Sequence, residues 1–389
     1  MEFKKLGELF KITSGGTPSK RNNKFYENGT IPWIKTGDLK EKNIVKSSEF
    51  ITELAVKKSS AKLFPKNTVL IAMYGATIGA TSILKIDATT NQACCAFLPN
   101  EEILPEFLYY YFKVNKSKIV SLGVGGAQPN ISATILKNIK IPVFSLIKQQ
   151  KIINILDKAQ ELIDKRKAQI EALDELVKSR FIEMFGAPGT NPMKWPEGTI
   201  RDVVTEVKYG TSKPAVEGGK YKYLRMNNIT YNGYLDITDL KYIDIPDKDI
   251  EKCIVRKGDV LFNRTNSKEL VGKTCVFDLD EPMIIAGYII RVRTNNKVLP
   301  EYLSAVLNSK YGKDVLYGMC KAIVGQANIN AQELQDIKIF IPPVELQKQY
   351  VEFIKQVDKL KFEIQESLKE LEDNFKSLMQ KAFKGELFN

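Results

Sequence analysis

At 389 residues, 43% of them hydrophobic, the chain is long enough to bury two or three separate cores. It contains no histidine, which removes His-based acid–base chemistry and His metal ligation, and its five cysteines (Cys94, Cys95, Cys253, Cys275, Cys320) show no C-x-x-C spacing, so neither a zinc site nor a disulfide framework is written here. The net charge of +12 is uneven: 20 Lys/Arg stand against 11 Asp/Glu in 1–143 and 22 against 19 in 191–343, but 8 against 7 in 144–190 and 8 against 9 in 344–389. Lysine-rich solubility and polyanion binding by the two long segments both fit that distribution.

The N-terminus, MEFKKLGELF, lacks the apolar run of a signal peptide, and with unpaired cysteines it predicts a cytoplasmic protein. Residues 14–29, SGGTPSKRNNKFYENG, are too polar and glycine-rich for a core element. The longest uncharged stretch, Thr68 to Leu84, is too short, too rich in Thr and too broken by Gly75 and Gly79 to span a membrane, and it predicts buried strands around a tight turn. After GGAQPNISATILKNIKIP (125–142) comes a heptad seam in 149–186: Leu156, Ala159, Ile163, Arg166, Ile170, Leu173, Val177, Arg180 and Met184 fall at alternating steps of three and four. No proline interrupts it, and Gly186 stands where a helix stops.

Beyond Gly186 the chain begins again. At an offset of 198, Gln326, Asn328, Ile329, Leu334, Ile337 and Lys338 repeat Gln128, Asn130, Ile131, Leu136, Ile139 and Lys140. The same offset carries the seam to Ile354, Val357, Lys361, Ile364, Leu368, Leu371, Phe375, Leu378 and Ala382, with Gly385 beyond it. Upstream, Gly16-Thr17 answers Gly210-Thr211, IKTGDL (34–39) answers LRMNNI (224–229), and KNTVLI (66–71) answers KGDVLF (257–262). The expected fold is therefore α+β, a tandem repeat of two β-rich domains and two long helices, with boundaries 1–143, 144–190, 191–343 and 344–389. Two seams in one register predict antiparallel pairing about a pseudo-two-fold axis, and a helix of about 37 residues is roughly 55 Å long. Two basic domains at the ends of such a rod suit a long, regular ligand such as duplex DNA, read as two different half-sites.

Over essentially its whole length the chain resembles the specificity subunits of type I restriction-modification systems. The likeness rests on IPWIKTGDL (31–39), MYGATIG (73–79), TTNQAC (89–94), GGAQPNI (125–131), GQANI (325–329), and helices ending in SRFIEMFG and AFKGELF, in duplicated order. It implies two target-recognition domains, each reading half of a bipartite, asymmetric DNA sequence. It also implies helices that set the spacer and dock two methyltransferase subunits, to which two translocase-nuclease subunits add. S-adenosylmethionine, ATP and Mg are then expected on those partners and none on this chain.

Candidate DNA-contacting residues follow. In 14–29, Lys20, Arg21 and Lys24 suit phosphates while Asn22 and Asn23 suit base edges, and a solvated loop is the alternative. Lys35 aligns with Arg225; Thr36 lies beside the first, Asn227 and Asn228 lie beside the second, and Tyr74, Asn91 and Gln92 lie in the other shared motifs. In FNRTNSK (262–268), Asn263, Arg264, Thr265, Asn266 and Ser267 follow an expected strand, and Arg beside amides suits guanine and adenine, although a hairpin turn would look the same. The repeated pairs Gln128/Asn130 and Gln326/Asn328 either touch DNA or bond loop backbone. Arg166 and Arg180 read as polar contacts between helices.

Catalytic signals are weak. There is no NPPY or DPPY, LGVGG (122–126) has no acidic partner at dinucleotide spacing, and Gly272-Lys273-Thr274 has Ser267 where a P-loop needs glycine. A nuclease pairing of Asp247 with Asp336 and Lys338 would use a residue pair that belongs to the repeat. Three alternatives remain: the recognition subunit of a two-subunit enzyme cutting both sides of its site, a coiled-coil scaffold gripping proteins, and an autonomous DNA-modifying enzyme.

Overall fold

The computed structural model describes residues 2–124, 130–320 and 327–388. The chain forms two compact units, residues 1–167 with 366–389 and residues 168–365. Both contain parts of the same two helices, Leu146–Phe185 and Val344–Lys384.

In the first unit a five-stranded sheet runs in the order Ile12–Ser14, Cys94–Phe97, Val69–Ala72, Thr81–Leu84, Asn43–Ile44, and a four-stranded sheet in the order Phe50–Ile51, Ile31–Ile34, Ala88–Thr90, Leu63–Phe64. The uncharged stretch 68–84 is the hairpin of the first sheet, with Val69 through Ala72 wholly buried. The second unit repeats the order with one strand fewer in its first sheet: Val204–Tyr209, Ile289–Thr294, Val260–Asn263, Thr274–Val276 in one sheet, and Lys241–Ile243, Tyr221–Leu224, Met283–Ile285, Ile254–Val255 in the other. Each copy also closes its ends with an antiparallel pair, Glu2–Lys5 on Lys140–Val143 and Glu197–Thr199 on Lys338–Phe340.

One correspondence differs from the expectation. Gly15, not Gly16, is the counterpart of Gly210. The Gly16 N–H donates to the Thr90 carbonyl at 2.8 Å as the Thr211 N–H does to Ile285 at 2.9 Å. A Cβ on Gly15 would stand 2.2 Å from the Thr90 carbonyl oxygen, and one on Gly210 2.2 Å from that of Ile285, so strand contact forbids a side chain at both. Sequence alignment slipped by one because the first copy offers two adjacent glycines.

Every predicted seam residue is buried or half-buried. In the first unit Ile152, Leu156 and Ile163 share a core with Phe375, Met379 and Ala382, and Lys167 pairs with Glu372 at 3.0 Å. In the second, Asp174 pairs with Lys361, whose ammonium lies 4.2 Å from the centre of the Tyr234 ring. Arg180 pairs with Glu183 on its own helix and rests its guanidinium on Phe353, so its contact across the helices is with a ring rather than an acid.

A fully buried glutamine fastens each globular part to its helix. Gln149 Oε1 accepts the N–H of Leu104 at 2.8 Å, and its Nε2 donates to the carbonyls of Glu102 and Phe144 at 2.7 and 2.9 Å. Gln347 does the same with Leu299, Lys297 and Pro342 at 2.7, 3.0 and 2.8 Å. Both accepted N–H groups lie just before a proline-started helix, Pro105–Val114 or Pro300–Asn308. Removing the amide strands three backbone groups in a dry interior. Gln149→Leu is expected to cost about 2–4 kcal/mol, whereas Gln150→Leu at the exposed neighbouring position changes stability by less than about 0.5 kcal/mol; denaturant titration followed by Trp33 fluorescence distinguishes them.

Candidate nucleic-acid interface

In the first copy, the loop 14–29 is ordered by apolar anchors rather than by its charges. Phe25 is buried with Trp33, Ile51 and Ala55, and the Tyr26 hydroxyl donates to the Pro18 carbonyl at 2.6 Å. Lys20, Arg21, Asn23 and Lys24 are left exposed and Asn22 half-buried, with no ion pair on the three cations among the described residues. Thr17 donates to Gln92 Oε1 on an exposed side chain. Asn91 is half-buried, and its side-chain oxygen has no partner among the described residues. Tyr74 is half-buried against the first core, and Asn130 is exposed after a bridge to Val124.

The short turns Thr36–Asp38 and Met226–Asn228 are structural equivalents: the Lys35 N–H donates to Asp38 and the Arg225 N–H to Asn228 Oδ1, both at 2.8 Å. Their cations are not free. Lys35 is paired with Glu49, and Arg225 with Asp239 at 2.8 Å, which Asn227 also approaches at 3.3 Å. Asn228 corrects the expectation of a base contact. It is 1% exposed, and its Nδ2 donates to the carbonyls of Asp236 and Asp239, so it shapes the loop.

The loop FNRTNSK and the loop MYGATIG turn out to be one position in two copies. Met73 and Arg264 each accept from the repeated isoleucine, Ile131 or Ile329, at 2.8 and 2.9 Å, and Gly79 and Gly272 close the loops on Ala72 and Asn263 with φ of 76° and 78°. Asn263 is wholly buried at the strand's end and Thr265 is 9% exposed, so neither is presented to a ligand; burial follows from their place in the sheet. Thr265 instead donates to Asn328 Oδ1 at 3.0 Å, and strand Thr265–Asn266 pairs with Ala327–Asn328. The structure thus brings Arg264, Thr265, Asn266, Ser267 and exposed Asn328 together. Asn266 Oδ1 accepts the Ser267 N–H at 2.9 Å. Gln128 and Gln326 lie outside the described residues.

The guanidinium of half-buried Arg264 lies 4.8 Å from the centre of the Tyr209 ring and makes no ion pair or hydrogen bond among the described residues; its Nε is buried without a partner. Tyr209 was invisible as a functional candidate, because a tyrosine ending a strand beside the Gly210-Thr211 motif reads as packing. Lys273 of the P-loop-like tripeptide is buried and donates to the Met226 carbonyl at 2.8 Å, a structural role. Burial pulls its pKa below the usual lysine value and that of neighbouring Lys313 to about 8. Asp336 is paired with Arg201 at 2.6 Å. Burial raises the Cys94, Cys95 and Cys275 thiols to about 12, which keeps them as unreactive thiols. Among the described residues no group of three or more Cys, Asp or Glu could hold a metal ion, and no helix is long and apolar enough to cross a membrane.

The family described as "Type I restriction modification DNA specificity domain" matches residues 1–172 and again 192–373. The chain belongs to this family. It is 25% identical over 356 residues to the EcoKI specificity subunit of Escherichia coli, covering 85% of this chain and 76% of that one. To the EcoR124I/EcoR124II specificity subunit of Escherichia coli it is 38% identical over 167 residues, which span 42% of this chain and 41% of the relative. A solved chain from work on complex assembly and conformational transition of the type I R-M system shares the fold, with a TM-score of 0.66 at 20% identity over 99% of this chain and 98% of the other. The repeat deduced from periodicity is therefore the family's own repeat.

A substitution separates shaping from reading in this interface. Asn228→Ala removes three buried hydrogen bonds and is expected to destabilise the second unit by about 2–3 kcal/mol, lowering affinity alike for every DNA sequence. Thermal denaturation alongside binding to a panel of duplexes checks both halves of that expectation; a change in preferred bases would return Asn228 to the reading set.

Proposed function

We propose that the chain is the sequence-specificity subunit of a type I restriction-modification complex, with each unit reading one half of a bipartite, asymmetric DNA target. The observation that carries this is one backbone loop built twice with different chemistry: Met73-Tyr74-Gly75 in the first copy and Arg264-Thr265-Asn266 in the second, each held by the same repeated isoleucine. A scaffold used twice for one purpose would keep those side chains alike. Two different readers on one scaffold would not.

In this proposal the helices dock two methyltransferase subunits and fix the spacer, restriction subunits join that core, and the methyl donor, nucleotide and magnesium are bound by the partners. The purified chain is expected neither to methylate nor to cleave DNA, and addition of its methyltransferase subunit to yield sequence-specific methylation; methyl transfer by the lone chain would sink the proposal. Phosphate contacts from the two basic domains should make the assembled complex lose affinity steeply as salt rises, with a slope near −0.9 for each phosphate neutralised. A flat response in a filter-binding titration would favour a protein scaffold.

If helix length sets the spacer, four residues inserted after Lys178, inside the helix Leu146–Phe185, add about 6 Å. At roughly 3.4 Å per base pair that is one or two extra pairs between the half-sites, with the bases of each half unchanged. Sequencing of methylated sites decides it: an unchanged spacer with retained activity would remove the helices from that role.

A further inference from the structure

The loop chemistry of the second unit goes further than a general capacity to touch DNA. Its two amide oxygens are each engaged within the loop: Asn266 Oδ1 takes the Ser267 N–H and Asn328 Oδ1 takes the Thr265 hydroxyl. The wholly unengaged polar groups of these side chains are donors, the guanidinium of Arg264 and the amide hydrogens of Asn266 and Asn328. In the major groove, guanine presents two acceptors, O6 and N7, on one edge, while cytosine presents a donor. A donor-rich surface with a planar fork therefore matches guanine better than cytosine.

Fork recognition needs the guanidinium plane held still. Arg225 and Arg293 are held by acids, Asp239 in one case and Asp259 with Glu206 in the other. An acid would occupy the N–H groups that a base requires. Arg264 is held differently, by the face of Tyr209, which restrains the plane and leaves the hydrogens unengaged. Tyr209 is itself fixed: it ends the strand Val204–Tyr209, and its hydroxyl oxygen accepts the N–H of Ala331 at 2.7 Å, the first residue of the helix after the repeated loop. The equivalent positions of the first unit are Met73 and Ser14, which can form no such pair.

We infer that Tyr209 is the positioning residue for Arg264, and that together they read a guanine in the half-site of the second unit. This rests on the specificity-subunit proposal. The test is selection of bound duplexes from a randomised pool by the chain assembled with its methyltransferase subunits, for wild type, Arg264→Lys, Tyr209→Leu and Tyr209→Phe. Wild type should select two half-sites, one holding a guanine that Arg264→Lys relaxes by about 10- to 100-fold, because the charge stays while the fork is lost. Tyr209→Leu should relax the same position several-fold and no other, and Tyr209→Phe, which keeps the ring but loses the bond from the Ala331 N–H, should relax it less than Tyr209→Leu. The unaltered half-site is the internal control for folding, since a merely destabilised second unit would lose every base of its half together. Relaxation at a base other than guanine, uniform loss across the half-site, or no effect of Tyr209→Leu would overturn the inference while leaving a bipartite reader standing. A wild-type chain that selects no sequence would overturn both.

Discussion

The rest of the architecture hangs on a single neutral side chain, used twice. A DNA reader built on a long helix must fix the angle between helix and domain, because a small tilt at the joint becomes a large displacement at the loops. Gln149 and Gln347 supply that joint with three hydrogen bonds each and no exposure. An ion pair at the same place would carry a heavy desolvation cost and tolerate many geometries, while a primary amide bound at both ends tolerates one. The aromatic helix clamped by Gln149 then carries six consecutive buried residues, Phe107 through Phe112, and meets Phe383 of the C-terminal helix within the same unit through a tilted contact from Phe107 and an edge contact from Tyr111.

Much of this was legible in sequence, for a definite reason. Heptad spacing is a long-range signal, and both helices and their buried faces follow from it residue by residue. Apart from the uncharged hairpin of 68–84, the β-rich domains were legible mainly as a repeat, since most of their strands, such as Asn43–Ile44, are too short for their own periodicity to show. The clamp itself was written plainly: Leu104-Pro105-Glu106 recurs as Leu299-Pro300-Glu301, and Gln149 recurs as Gln347 at the offset already found. A glutamine on a helix rich in Lys and Gln carries no sign of being buried until its partners, over forty residues upstream, are placed beside it.

The candidate site divides along a different line. Sequence marked these loops but assigned side chains by type, and type does not say which polar groups are already engaged. Asn228 and Asn227 are adjacent and chemically identical, yet one is sealed inside a turn and the other exposed. Lys35 and Arg225 look like free cations until Glu49 and Asp239 are brought to them from 14 residues away. Arg264 looks no different from them in the sequence, and it is the one without an acid.

Unengaged polar atoms are costly in a folded protein, about 1–3 kcal/mol for each buried donor or acceptor left without a partner. Nine buried side-chain atoms are in that state among the described residues, and four of them belong to Asn91, Arg225, Asn263 and Arg264. Such costs concentrate where a fold serves something other than its own stability. Asn91 follows the strand Ala88–Thr90 in the first unit, Asn263 ends the strand Val260–Asn263 in the second, and Arg264 begins the loop beyond it. A packing optimum would have engaged these groups internally, as it engaged Asn228 and Lys273. Two units that share a backbone and agree on their clamps therefore differ in the chemistry of their equivalent loops, Met73-Tyr74-Gly75 in one and Arg264-Thr265-Asn266 in the other, and Arg264 keeps a guanidinium that no acid among the described residues engages.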